Sequence, residues 1–210
     1  MICLHRITTP RGEVTVSLDR ATSVVSYRKA GVVQSQVDGK GRNLSPFVDK
    51  AVKILKQETV RRVLVLGHGG GTASSLLHKR GLDVVSVDCD PCAEGLARLF
   101  FRAPPNLSVV VDDAANYVAR ATPASFDAVL VDFQDAAATP APYLTELFWK
   151  EVVTLLRPPA VTVIHLTRAL HLGPDWEGFR RARAAAGLDS VALSDPFPGG
   201  DRLLFSLRSE

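Results

Sequence analysis

The chain has 210 residues, 46% hydrophobic and 22% charged, with a formal net charge of +3 at pH 7. That length supports one well-buried domain, and so small a charge, with no dense Lys/Arg run, argues against nucleic acid as a partner. No apolar stretch reaches the ~20 residues that span a bilayer and residues 1–10 lack a signal-peptide pattern, so the expectation is a cytoplasmic protein with no membrane partner.

Three β-rich runs open the chain, at 13–19, 23–29 and 31–37, with turn residues between them. Gly39 to Asn43 is a loop, and Ser45 is placed to cap a helix that Pro46 starts and that runs to about Gln57. From Arg62 the pattern alternates. Strands are expected at 62–66, 83–88, 107–111, 126–132 and 160–166, each followed by a helix: 71–80, 91–101, 113–121, 141–156 and 174–186. Strands joined by crossover helices make a parallel, doubly wound sheet. The runs at 190–194 and 202–207, joined by the turn at 195–200, read as a closing antiparallel hairpin. Arg180, Arg181 and Arg183 are expected on a solvated helix face, Trp149 and Trp176 in helix packing, and 167–174 is a candidate lid.

The most informative stretch is Val63-Leu64-Val65-Leu66 running into Gly67-His68-Gly69-Gly70-Gly71-Thr72. A β-branched run that ends in glycines lets bare backbone approach a ligand. Asp88, at the tip of the next strand, is spaced to accept hydrogen bonds from a ribose diol, with Asp90 its nearest competitor. G-x-G-x-x-G fails at Thr72, which counts against a nicotinamide-binding domain. His68 reads as a loop residue beside the site.

Asp112-Asp113 closes the third strand of the series. One carboxylate caps the helix and the other is free for an adenine amine, with Asp113 followed by Ala114 the favoured pair. Asp132 and Asp135 follow the fourth strand, at the sheet edge where such folds bind ligands. Two acids three residues apart there can bind a cationic amine and take its proton as it attacks. Cys3, Cys89 and Cys92 form no disulfide framework, and Cys89-Asp90-Pro91-Cys92 lacks the further ligands of a zinc site, so no metal is expected.

Five β–α units finished by an antiparallel hairpin resemble the class I S-adenosylmethionine-dependent methyltransferase fold. Within it, Phe126 to Asp135 resembles the F-D-x-I-x-x-D-x-x-D segment of the polyamine aminopropyltransferases, the spermidine synthases. Pro142 to Trp149 is similar to that family's Y-L-T-x-x-F stretch, Gly31-Val32-Val33-Gln34-Ser35 to its D-G-x-x-Q-S hairpin, and Val110 to Ala114 to its V-x-D-(G/A) adenine site. The resemblance implies a seven-stranded, mostly parallel α/β sheet. It divides the chain into an N-terminal β-hairpin region, 1–44, and a Rossmann-like domain, 45–210, that binds S-adenosylmethionine or its decarboxylated form as co-substrate. It makes Asp132 the base, Asp135 an amine-holding acid and Asp88 the ribose ligand. Asp113 and Ala114 fall at the adenine, Gln34 near the nucleoside, and Gly67, Gly69, Gly70 and Gly71 along its tail. It further implies a small-molecule amine substrate and allows a homodimer.

Three positions depart from the family pattern. Its loop aspartate is Gly70 here, its Y-H-E stretch has Phe47-Val48-Asp49 at the nearest place, and its D-E pair has no equivalent in Asp38-Gly39-Lys40-Gly41. These departures count against authentic spermidine synthesis. Three readings stand: aminopropyl transfer from the decarboxylated donor, methyl transfer from intact S-adenosylmethionine, and a nucleoside-binding or scaffold protein without turnover.

Overall fold

The computed structural model describes residues 1–134, 139–188 and 192–208. They form two sheets. The first is antiparallel, four strands in chain order: β1 (Ile2–Thr9), β2 (Gly12–Asp19), β3 (Val24–Lys29) and β4 (Val32–Val37). Sequence reading missed β1, whose apolar residues are interrupted by His5 and Arg6. Its partner β2 carries the alternation, with Val14 and Val16 fully buried.

The second sheet matches the expected doubly wound plan. Its strands are β5 (Arg62–Leu66), β6 (Asp83–Asp88), β7 (Ser108–Val111), β8 (Phe126–Val131), β9 (Leu156–Leu166), β10 (Ala192–Leu193) and β11 (Arg202–Arg208), in the order β10-β11-β9-β8-β5-β6-β7. β5 to β9 run parallel, while β11 lies antiparallel on β9. β8 is buried along its whole length, as a strand covered on both faces must be.

Two apolar layers sandwich this sheet. On one face α1 (Pro46–Leu55) and α2 (Thr72–Lys79) pack on Val63, Val65, Leu130 and Val163. On the other, α4 (Ala114–Arg120), α5 (Glu146–Thr154) and α7 (Trp176–Ala185) enclose Leu64, Val129 and Ile164. An aromatic cluster of Tyr143, Phe148, Trp149 and Phe179 fills that second layer, ring centroids 5.0–6.0 Å apart. Both tryptophans therefore serve packing: Trp149 is buried and Trp176 stacks on Phe179. A third cluster joins the sheets, with Tyr27 and Val37 against Leu96 and Phe101 of α3 (Ala93–Phe101).

Two local expectations need correction. Ser45 stands at the N-cap of α1 but its side chain makes no capping bond; Pro46, which has no N–H to satisfy, opens the helix instead. Arg183 is buried rather than solvated. Its guanidinium lies 5.3 Å from the Phe179 ring centre and 6.0 Å from that of Trp149, and it donates to the Leu188 carbonyl. A flat, weakly hydrated cation can be buried this way where lysine could not.

Candidate functional site

Strand register builds the site. Leu66 is level with both Val87 and Val131, and Val131 is level with Ile164. The residues that follow, Gly67, Asp88, Asp132 and His165, therefore emerge side by side at the carboxyl edge of the sheet. This is where ligands bind in open α/β sheets.

The glycine loop is shaped by close approach. Gly67 has φ +103°, and a Cβ there would stand 2.5 Å from the Asp132 carbonyl oxygen. No other residue fits. Gly70 is closed to a side chain for a different reason: a Cβ would come within 2.7 Å of Ser35 Cβ, and the Gly70 amide donates to Ser35 Oγ at 3.1 Å. The position where the family pattern has aspartate is thus packed against β4. Gln34 lies on the same strand, its Cβ 3.9 Å from where a Cβ of Gly69 would fall. Gly71, at φ +70°, is the N-cap of α2.

Asp88 holds this loop in shape. Its Oδ2 accepts from the amides of His68 (2.8 Å) and Gly69 (2.9 Å), and Oδ1 accepts from the Asp90 amide (2.9 Å). A carboxylate offers about four acceptor directions, and these three amides among the described residues leave one. Asp90 points away from the edge. It is buried, accepts from the Cys92 amide and thiol, and has Lys29 Nζ at 3.9 Å. Burial, with that bond to Asp90, pushes the Cys92 thiol up to about 12.

His68 lies in the loop, as its sequence position implies, but its side chain is buried. Its Nδ1 is 2.9 Å from Ser86 Oγ, which in turn meets Ser74 Oγ at 2.9 Å, and its Nε2 is buried without a hydrogen-bond partner among the described residues. Burial pushes it down to about 4, so the ring is neutral at pH 7.

At the next strand end the two acids divide their duties. Asp113 is the N-cap of α4, its Oδ1 accepting from Ala115 N at 3.0 Å, while its Oδ2 meets Arg11 of the N-terminal sheet at 3.0 Å. Asp112 takes the Asp113 amide and pairs with Arg120. Ala114 opens the helix, leaving its backbone at the edge. So the acid that the sequence favours for an adenine is the capping residue, with its other oxygen paired to Arg11.

Asp132 lies beyond β8 with a partner that sequence reading did not find. Its Oδ1 is 2.7 Å from His165 Nδ1, and His165 Nε2 is 3.3 Å from Asp201 Oδ2. The imidazole is buried and stacks on Phe47, centroids 3.9 Å apart and planes 11° from parallel. Burial works against its charge, but the charge and hydrogen bond of Asp132, joined by Asp201, raise it to about 9. Asp201 is in turn held below the usual carboxylate value: burial opposes this, and the His165 bond and the Arg168 amide outweigh it. Gln134 donates to the His165 carbonyl, and the buried Tyr143 hydroxyl donates to that of Phe133. The candidate lid contains a short helix, α6 (Arg168–His171), whose first amide is bonded to Asp201 at 2.8 Å. Asp135 lies outside the described residues.

Among the described residues, no group of three or more His, Cys, Asp or Glu side chains is arranged to hold a metal ion. No described helix is long and apolar enough to cross a membrane.

Comparison with known proteins bears on this edge. No family model matches the chain. In sequence it is 30% identical over 141 residues to the polyamine aminopropyltransferase of Mycobacterium tuberculosis H37Rv, covering 55% of this chain and 27% of that protein. It is 35% identical over 123 residues to the polyamine aminopropyltransferase of Aeropyrum pernix, covering 53% and 39%. A third similarity, 28% over 123 residues, is to the N-terminal histidine N-methyltransferase of Emericella nidulans, covering 57% and 22%. The chain thus spans well under half the length of the curated relatives it matches. In structure it superposes on a probable spermidine synthase from Corynebacterium glutamicum with a TM-score of 0.78 at 20% identity, over 97% of this chain and 79% of that one. In sequence the chain is thus similar, over part of its length, to polyamine aminopropyltransferases and to an N-methyltransferase, and the superposition shows that it shares the fold of the probable spermidine synthase.

Proposed function

We propose that the protein is a transferase that moves an alkyl group from a sulfonium nucleoside to an amine, with the aminopropyl group of decarboxylated S-adenosylmethionine as the first candidate. One observation carries this reading: the glycine loop and Asp132 share a backbone contact, so a nucleoside tail on the loop ends beside the acid. Asp88 would take the ribose, Asp113 and Ala114 the adenine, and Gln34 the near face of the nucleoside. The amine nitrogen attacks the carbon next to sulfur. A C–N bond forms, the C–S bond breaks, and its electron pair leaves on a neutral thioether. The amine reacts as a neutral nucleophile, so the proton it sheds needs a base within reach, and Asp132 would take it. The rest of the rate enhancement comes from alignment rather than covalent catalysis.

The packing of Gly70 on Ser35 bears on the donor. The decarboxylated donor's tail ends in an ammonium, and here no acid at position 70 meets it. Asp135, the second amine-holding acid suggested by the sequence, remains part of this proposal. Residues 1–44 supply Gln34 and Arg11 to the donor side, which makes the N-terminal sheet a wall of the site in the 45–210 domain.

Calorimetric titration with S-adenosylmethionine, its decarboxylated form and methylthioadenosine tests the reading, followed by an amine panel. Preference for the decarboxylated donor, with product from an amine, supports aminopropyl transfer. Preference for the intact donor makes the protein a methyltransferase on this frame, and failure to bind any of the three removes the proposal. Asp132→Asn is expected to lower turnover by about 10²–10⁴-fold with donor affinity nearly unchanged; turnover at the wild-type rate would rule out Asp132 as the base.

A further inference from the structure

Two carboxylates and one imidazole sit in a line at the acceptor end of the site. Each belongs to a different strand end. Asp132 follows β8, His165 lies near the end of β9, and Asp201 precedes β11, with Leu203 level with His165 across the antiparallel pair. The imidazole is contacted on a face and at both nitrogens. Phe47 of α1 is stacked on one face, and hydrogen-bond partners occupy both nitrogens at 2.7 and 3.3 Å. Asp201 is itself anchored, its other oxygen accepting from the Arg168 amide at 2.8 Å. The chain of contacts therefore runs from a helix start, through a buried ring, to a single oxygen of Asp132. The Oδ2 of Asp132 accepts no hydrogen bond from the described residues, and the side chain is 19% exposed. Among the described residues the carboxylate is therefore held through Oδ1 alone.

We propose that His165 is a positioning residue: a buried imidazole ring, clamped between Asp132 and Asp201 and stacked on Phe47, that fixes the Asp132 carboxylate so that its second oxygen meets the attacking amine. This rests on the transferase reading above for what Asp132 does, and on geometry alone for the clamp. A carboxylate on a loop without such a partner would swing about its χ angles, and a misplacement of about 1 Å costs roughly a hundredfold in rate. The ring keeps its charge because of what surrounds it. Asp132 faces it from the end of β8, Asp201 from the turn before β11, and α1 contributes only the uncharged Phe47. From the segment after β9, Arg168 contributes its backbone amide to Asp201, and His171 lies close enough to act on Asp201 electrostatically. On the far side of Asp132, Tyr143 is a neutral phenol bonded to the Phe133 carbonyl. Two carboxylates against one ring favour the cation.

The test has two arms. In the first, ¹⁵N NMR follows the His165 ring of the full chain as a function of pH. Both ring nitrogens are expected to be protonated at pH 7.5, with a midpoint near 9 that falls by about one unit or more in Asp132→Asn. A midpoint near that of a free imidazole, or one indifferent to Asp132→Asn, overturns the clamp. In the second arm, kcat, KM and donor affinity are compared for wild type, His165→Gln and the milder Asp201→Asn. His165→Gln is expected to lower kcat by roughly ten- to a hundredfold with donor Kd within threefold, and Asp201→Asn to lower it less. Wild-type kcat in His165→Gln overturns the positioning role. A wild-type protein without turnover on any amine removes the transferase reading instead, and the NMR arm still decides the clamp.

Discussion

On the proposed reading, the carboxyl edge of the sheet has a donor half, built on β5, β6 and β7, and an acceptor half, built on β8, β9 and the turn before β11. Each half buries one histidine, and both are 6% exposed. Their charge states are opposite. His68 has a serine hydroxyl for a partner and is pushed down to about 4, whereas His165 has two carboxylates and is raised to about 9. Equal burial with opposite outcome shows that the partner, not depth, decides whether an interior imidazole is charged. The same contrast runs through the acids. On the donor side Asp88 accepts from backbone amides and shapes the loop, while on the acceptor side Asp132 is held through Oδ1 and its Oδ2 accepts nothing from the described residues.

The sharpest way to break the comparison is to strike where the halves meet. Gly67→Ala places a Cβ on backbone at φ +103° and 2.5 Å from the Asp132 carbonyl. Neither side can yield, so a loss of about 3 kcal/mol or more is expected in denaturant unfolding, together with weakened nucleoside binding. Unchanged stability would mean that the loop and the acid are not in contact.

Next in size is the pH dependence of stability, which should have two limbs from the two histidines. His165 is raised in the folded state, so its contribution is complete below about pH 6.5 and is lost as pH climbs through 9. His68 is depressed, so its contribution is present above about pH 6.5 and is lost as pH falls through 4. Each limb is worth on the order of 3 kcal/mol at full extent. Asp127 and Asp201, whose carboxyls are held low, add to the acid limb. Urea unfolding at pH 4.5, 6.5 and 9 should find the maximum near the middle value, and His165→Gln should flatten only the alkaline side. A single monotonic slope would contradict the contrast.

The smallest effect isolates the donor half. Ser35→Ala removes the hydroxyl that accepts from the Gly70 amide, leaving a buried donor without its partner at a cost of about 1–2 kcal/mol. Nucleoside binding should weaken, and the His165 titration should not move. If it did move, the two halves would be coupled through the loop.

Much of this was legible from the chain alone. Runs such as Val63 to Leu66 and Phe126 to Val131, each followed by a helical period, determined the doubly wound sheet, because buried parallel strands are nearly continuous in apolar residues. The glycines of 67–71 and the acids at strand tips followed from the same logic, since chemistry in such sheets gathers where strands end. Strand β1 escaped because its polar interruptions hide the alternation, and Arg183 because a cation in an arginine-rich run looks solvated until aromatic rings surround it. What only the tertiary structure decided was pairing. No spacing in the sequence joins Asp132 to His165, 33 positions later, or His165 to Asp201, 36 later still. Strand register sets those neighbours, and it comes from hydrogen bonding and packing across the whole sheet. The sequence determined which groups reach the edge; the fold determined which of them touch, and therefore which carry charge.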